Sequence, residues 1–200
     1  MKSAKLSSDI TRQYHSSEVW DTVKYRGIQT LKCPLDLWIY QEIIFNVKPK
    51  IIIESGTWEG GSAEYLADIC KLFELDTLVI TIDIAPRRKV NHPMIKQLIG
   101  SSISPEILST VRSLTDISGP RMVILDSDHS EAHVLSELHS YYSFVTTGSY
   151  LIVEDTNLDG PSIAVNKWLL EHSEFIRDID CERHGITFNP GGYLKLLPKF

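Results

Sequence analysis

"IIIESGTWEGGSAEYL" (residues 51–66) sets three β-branched residues, an acid and a broken glycine cluster directly in front of an amphipathic run. A short apolar run that stops at a glycine turn is the pattern of a strand buried on both faces of a parallel sheet. Leu66, Ile69, Cys70 and Phe73 then mark one side of the following helix. Gly56 can take a positive φ and lets a ligand approach the backbone, while Gly60 and Gly61 allow the tight entry to the helix. Ser62 is positioned to cap that helix. The turn is not the dinucleotide fingerprint GxGxxG, because Trp58 stands where the second glycine is required.

The same alternation extends in both directions. "LDLWIYQEIIFNV" (35–47) puts Leu37, Tyr40, Ile44 and Val47 at helical spacing, and Pro49 ends that helix. Strands are predicted over 77–83, 94–100, 121–128 and 148–155, with helices over 104–114, 131–145 and 161–172. Regular β-α alternation implies an α/β fold with a mostly parallel sheet covered on both faces. "EFIRDID" (174–180) and "GGYLKLL" (191–197) lack a helix between them and predict an antiparallel hairpin at one sheet edge. Residues 1–34 are polar and mixed and read as an N-terminal extension, either an acceptor lid or an oligomer contact, ahead of one domain at 35–200. Trp20, Tyr25 and Trp58 are candidate pocket walls. A homo-oligomer is left open.

Two hundred residues suit one globular domain with a real core. With 42% hydrophobic and 23% charged residues, the composition indicates neither a disordered nor a collagen-like nor a coiled-coil chain. A net charge of −6 offers no broad positive field to phosphate backbones, so no nucleic-acid partner is expected. Arg87, Arg88 and Lys89 form the one dense basic cluster and read as a solvated loop. Cys33, Cys70 and Cys181 are odd in number and include no CxxC pair, which suits a reducing, cytoplasmic setting. The N-terminus has no apolar signal core, and no run of about 18 uncharged apolar residues predicts a membrane span.

In such sheets ligands gather beyond the carboxyl ends of the strands. Asp83 ends the second strand, where a carboxylate can accept both hydroxyls of a ribose. "IGSS" (99–102) offers Ser101 and backbone groups near an adenine. Asp126 and Asp128 follow the fourth strand, and Glu154 and Asp155 the fifth, so four carboxylates converge on one rim and repel unless a cation or protons neutralise them. A hard cation such as magnesium, held by Asp126, Glu154 and Asp155, is the economical solution. His129 or Asp128 could then serve as general base on an acceptor hydroxyl. His133 and His139 read as helix-surface residues.

The spacing ExGxxxGG is similar to the S-adenosylmethionine loop of class I methyltransferases. "ESGTWEGGSAEYLADI", "ILDSDHSEAHVLSEL" and "YLIVEDTN", with "KCPLDLWIYQEII" and "NPGGYLK", resemble the cephalosporin hydroxylase and rhamnosyl O-methyltransferase family of class I S-adenosylmethionine-dependent methyltransferases. The resemblance implies a Rossmann-like seven-stranded fold and methyl transfer to a hydroxyl of a small molecule, a sugar or natural-product precursor. It also implies that Glu54, Gly56, Thr57, Trp58, Gly60, Gly61 and Ser62 cradle the methionine end of S-adenosylmethionine, with Asp83 on its ribose, Ser101 by its adenine and Asp126 beside it. Magnesium on Asp126, Glu154 and Asp155 carries over in the same way. Related metal-dependent catechol-type enzymes have a lysine base where this chain has His129. The rivals are a metal-dependent glycosyltransferase using "DSD" (126–128) as a DxD motif, and a non-catalytic cofactor-binding protein.

Overall fold

The computed structural model describes residues 2–198, so residues 1 and 199–200 of the two expected ranges lie outside the described part. In chain order the elements begin with α1 (Lys2–Ser16), a 3-10 turn (Val19–Thr22) and the two-strand ribbon β1 (Lys24–Tyr25) and β2 (Ile28–Gln29). There follow α2 (Pro34–Val47), β3 (Ile51–Ser55), α3 (Gly61–Leu72), β4 (Leu78–Asp83), β5 (Ile95–Ile99), α4 (Pro105–Leu114) and β6 (Arg121–Leu125). The chain closes with α5 (Glu131–Tyr141), β7 (Tyr150–Val153), α6 (Asp159–Trp168), β8 (Phe175–Arg177) and β9 (Tyr193–Leu196).

The large sheet has the order β5-β4-β3-β6-β7-β9-β8. β3 to β7 run parallel, β9 runs antiparallel to β7, and β8 antiparallel to β9. The mostly parallel seven-stranded sheet is therefore as expected. The final pair is the expected antiparallel hairpin at one sheet edge, with β9 inside against β7 and β8 outermost. Burial explains the order: Tyr193 and Leu194 of β9 are fully covered, whereas Ile176 and Arg177 of β8 are exposed and suit an edge.

Successive residues of a strand point to opposite faces, and the apolar runs feed two cores. Ile51, Ile53, Ile80, Ile82, Val123 and Leu151 pack with Val111 of α4, Leu138 of α5 and Trp168 of α6. Ile52, Val79, Met122 and Ile152 pack on the other side with Ile44 of α2 and Leu66 and Cys70 of α3. In α2 the buried face centres on Ile39, Tyr40, Ile43 and Ile44, with Leu37 and Val47 only partly covered. The predicted fourth and fifth strands end early, at Leu125 and Val153, so their acids lie in the loops beyond the sheet.

β3 lies between β4 and β6, so the chain leaves it first to one side and later to the other, and the loops after β3 and β6 flank a crevice. These two loops touch. A Cβ on Gly56, whose φ is +90°, would lie 1.8 Å from the carbonyl oxygen of Asp126. Gly60 is the N-cap of α3 with φ 83°, while Ser62 lies inside the first turn; a left-handed glycine, and not the serine hydroxyl, begins this helix. A Cβ on Gly61 would meet the Thr30 hydroxyl at 2.5 Å, because the N-terminal segment presses on the start of α3. That segment is anchored by Tyr25 and Arg26, which donate to Asp68 at 3.0 and 2.8 Å. Tyr25 is thus turned onto α3 and away from the crevice, contrary to its expected role as a wall.

Gly56→Ala should cost at least ~3 kcal/mol, since strain at positive φ adds to a clash between two backbones that cannot separate. Chemical denaturation checks this, and a loss under about 1 kcal/mol would show that the two loops can part.

Candidate active site

A cavity of about 840 Å³ opens over the carboxyl ends of the parallel strands, with Gly56, Thr57, Trp58, Gly61 and Ser62 along one side. Asp83 and Ser101 follow, and Asp126, Asp128, His129 and Asp155 complete the rim. Glu54, Gly60 and Glu154 stand behind this lining. Glu54 is fully buried; its Oε2 accepts from Thr81 at 2.7 Å, and the Thr81 and Thr57 hydroxyls are 2.8 Å apart. Its Oε1 has no hydrogen-bond partner. Burial raises the Glu54 carboxyl to about 7, against the pull of the Lys32 ammonium.

Asp83 is fixed by two backbone donors, Trp58 N–H to Oδ2 and Ala85 N–H to Oδ1, each at 2.8 Å. Each oxygen keeps lone-pair capacity for a diol. Trp58 has a left-handed backbone (φ 48°), and the Arg87 guanidinium lies 3.5 Å from its ring centroid. Arg88 donates to the Glu59 carbonyl at 2.9 Å and pairs with Glu64. The basic cluster lies in an exposed loop as expected, and two of its members, Arg87 and Arg88, also brace the glycine turn.

The acidic rim is divided. Asp126, His129 and Asp155 offer ligand atoms within 4.8 Å of one another. His129 Nε2 is 3.1 Å from Asp155 Oδ2 and 3.6 Å from Asp126 Oδ1. The Asp126 bond, then the charges of Asp155 and Asp126, hold the imidazole up at about 9 despite burial. Burial and the neighbouring acids raise Asp155 to about 7. Glu154 is turned inward, where its Oε1 accepts from Lys32 at 2.7 Å and from the Tyr40 hydroxyl. Lys32 also donates to Asp126 Oδ2. Asp128 is exposed, its Oδ1 accepting the Ser130 N–H at 2.7 Å in a local turn. Ser130, not Asp128, caps α5.

A family model described as Rhamnosyl O-methyltransferase/CmcI matches residues 17–197. The chain belongs to that family. Among curated relatives, a rhamnosyl O-methyltransferase of Mycobacterium leprae is 31% identical across 94% of this chain and 90% of the relative. One from Mycobacterium bovis is 33% identical across 94% and 84%. Among solved structures, CmcI with Mg and SAM superposes with a TM-score of 0.73 at 21% identity, covering 89% of this chain and 78% of that one.

Beside the rim of this Rhamnosyl O-methyltransferase/CmcI family member, His15, Trp20, Leu31, Leu158 and Phe188 form an apolar wall. Trp20 is held by its indole N–H on the His15 carbonyl at 2.9 Å, stacks on the His15 ring and meets Phe188 edge-on. Trp58 also lines the cavity, as expected. His133, expected on the helix surface, faces the cavity instead: its Nε2 is 3.2 Å from the Ser102 hydroxyl and 3.5 Å from buried Glu137. His139 is exposed.

Lys32, Tyr40 and Asn189 lie within "KCPLDLWIYQEII" and "NPGGYLK", but no spacing there marks them as partners of the acids. Asn189 accepts the Asp155 N–H at 3.0 Å and donates to the Tyr40 hydroxyl at 3.3 Å, tying the loops after β7 and before β9 to α2. Glu154→Ala should cost about 3 kcal/mol in metal-free buffer, because it strips an anion from a buried lysine and the acceptor from Tyr40. Urea denaturation measures this; a loss within about 0.5 kcal/mol would mean the inner pair carries no stability.

Proposed function

We propose that the protein is an S-adenosylmethionine-dependent, magnesium-dependent O-methyltransferase acting on a hydroxyl of a small molecule, a sugar or natural-product precursor. The observation that carries this reading is the continuity of one cavity from the glycine turn and Asp83 to Asp126, His129 and Asp155. Donor and acceptor sites open into the same space, which is what direct transfer requires. The names of the curated relatives support a sugar hydroxyl. The aromatic wall of Trp20 and Phe188 suits the C–H face of a pyranose, and the extension that supplies Trp20 acts in this reading as part of the acceptor wall.

The residues fit both groups. The unpartnered Glu54 Oε1 behind the turn suits the positive methionine end of the donor, and Asp83 suits its ribose diol. Asp126 and Asp155 offer hard oxygens to magnesium, with Glu154 as the inner third acid. When bound, the ion polarises the acceptor hydroxyl and lowers its pKa. His129 serves as general base in this reading: its Nε2 faces Asp155 and Asp126, and a cation held by those carboxylates would offset the attraction that raises its pKa, leaving Nε2 to take the hydroxyl proton. The acceptor oxygen then forms its bond to the methyl carbon as the carbon–sulfur bond breaks, leaving a neutral thioether. Asp128 lines the same cavity with Oδ1 on the Ser130 N–H, and it is the alternative base in this reading. Among the described residues no helix is long and apolar enough to cross a membrane, and a cytoplasmic location belongs to the same proposal.

Calorimetric titration with S-adenosylmethionine tests the donor site: Asp83→Ala should weaken binding roughly tenfold or more, through loss of a charged diol acceptor. His129→Gln should bind the donor as the unaltered protein does yet lose roughly 10²–10⁴ in turnover. Full turnover in His129→Gln would assign the base elsewhere, and donor binding indifferent to Asp83 would remove the ribose assignment.

A further inference from the structure

Lys32 is only 2% exposed, and a lysine is almost never covered to that degree without a partner. It has two, Glu154 Oε1 at 2.7 Å and Asp126 Oδ2. Both partners are carboxylates, so the covered ammonium is paired and hydrogen-bonded on the protein side. The lysine comes from none of the β-α units. It lies in the stretch between β2 and α2, next to Leu31 in a left-handed conformation and Thr30 against Gly61. The ammonium itself is covered and held between the two carboxylates.

We propose that Lys32 is a resident cation of the acidic rim that shares Asp126 and Glu154 with the divalent ion, weakening the ion's binding and linking it to the N-terminal segment. The proposal rests on the magnesium reading above. Each of those acids gives one oxygen to the ammonium, which leaves Asp126 Oδ1, on the side of His129 and Asp155, as the oxygen of Asp126 not bonded to Lys32 that would be offered to an ion. A fixed positive charge a few ångströms away opposes a divalent ion, and the opposition is strong where water is excluded. The same contact joins ion occupancy to the acceptor wall, because Gln29, Thr30 and Leu31, which precede Lys32, line the cavity. A lysine that merely compensates buried acids would stabilise the fold without opposing the ion.

Magnesium titration by calorimetry, on the full metal-free chain, separates these roles. Lys32→Met and Lys32→Gln should both bind magnesium roughly tenfold or more tightly than the unaltered protein, with a larger magnesium-induced rise in melting temperature. Lys32→Arg, which keeps the charge, should stay within a few-fold. Lys32→Gln retains a hydrogen-bond donor for Glu154 and so decides the matter if Lys32→Met does not fold without metal. Should neither neutral variant fold without metal, recovery of the fold on adding magnesium is the expected result, and failure to recover overturns the proposal. Equal or weaker binding in the folded variants overturns the role of Lys32 and leaves the magnesium reading standing. Absence of magnesium binding in every protein, the unaltered one included, overturns both.

Discussion

Carboxylates brought together at the ends of adjacent parallel strands repel one another, and the rest of this structure is arranged around that repulsion. Asp126 follows β6, and Glu154 and Asp155 follow β7, its neighbour in the sheet. Lys32 and Tyr40 neutralise and cover the inner acid, and His129 bridges the outer two. The result is a rim with its charge compensated on the protein side and held ready on the cavity side. Such an arrangement has free energy to gain from a divalent ion, which is why the outer acids face the space where a donor and an acceptor would meet.

The sheet makes this possible through strand order. Because β3 sits between β4 and β6, the glycine turn after β3 and the loop holding Asp126 diverge at their tips yet touch at Gly56. The turn is then stiffened from outside by Arg87 on Trp58 and Arg88 on the Glu59 carbonyl. Asp83 takes one backbone donor from that turn, Trp58, and one from its own loop, Ala85, so its carboxylate is held against the glycine turn. The N-terminal segment is equally integrated. It supplies Trp20 and His15 to the cavity, Tyr25 and Arg26 to Asp68, and Lys32 to the acids.

The fold was legible because its signals are local. "IIIESG", "VILD" and "LIVED" each carry a covered strand and its terminal acid within a few residues, and a parallel sheet puts such ends on one rim. Asp83, Asp126, His129 and Asp155 were found on that basis. What escaped depends on partners far apart in the chain. Lys32 is 94 residues from Asp126 and 122 from Glu154, and Tyr40 is 114 from Glu154. Lys32 opens "KCPLDLWIYQEII", but its neighbours carry no pattern that pairs it with acids so far along the chain. Ser62 is a good cap by type, yet the left-handed Gly60 already begins the helix two residues earlier. His133 was misread because helical periodicity gives a face but not what the face looks upon.

The central claim is that the strand-end acids and the glycine turn serve one reaction across one cavity. A crystal of the protein grown with manganese and S-adenosylmethionine, measured at the manganese absorption edge, tests it most directly. The account predicts a single anomalous peak contacted by Asp126 and Asp155, with the donor lying from the turn at Gly56 to Ser101 and its ribose on Asp83. Donor density without manganese at the rim, or manganese away from Asp126 and Asp155, would contradict it.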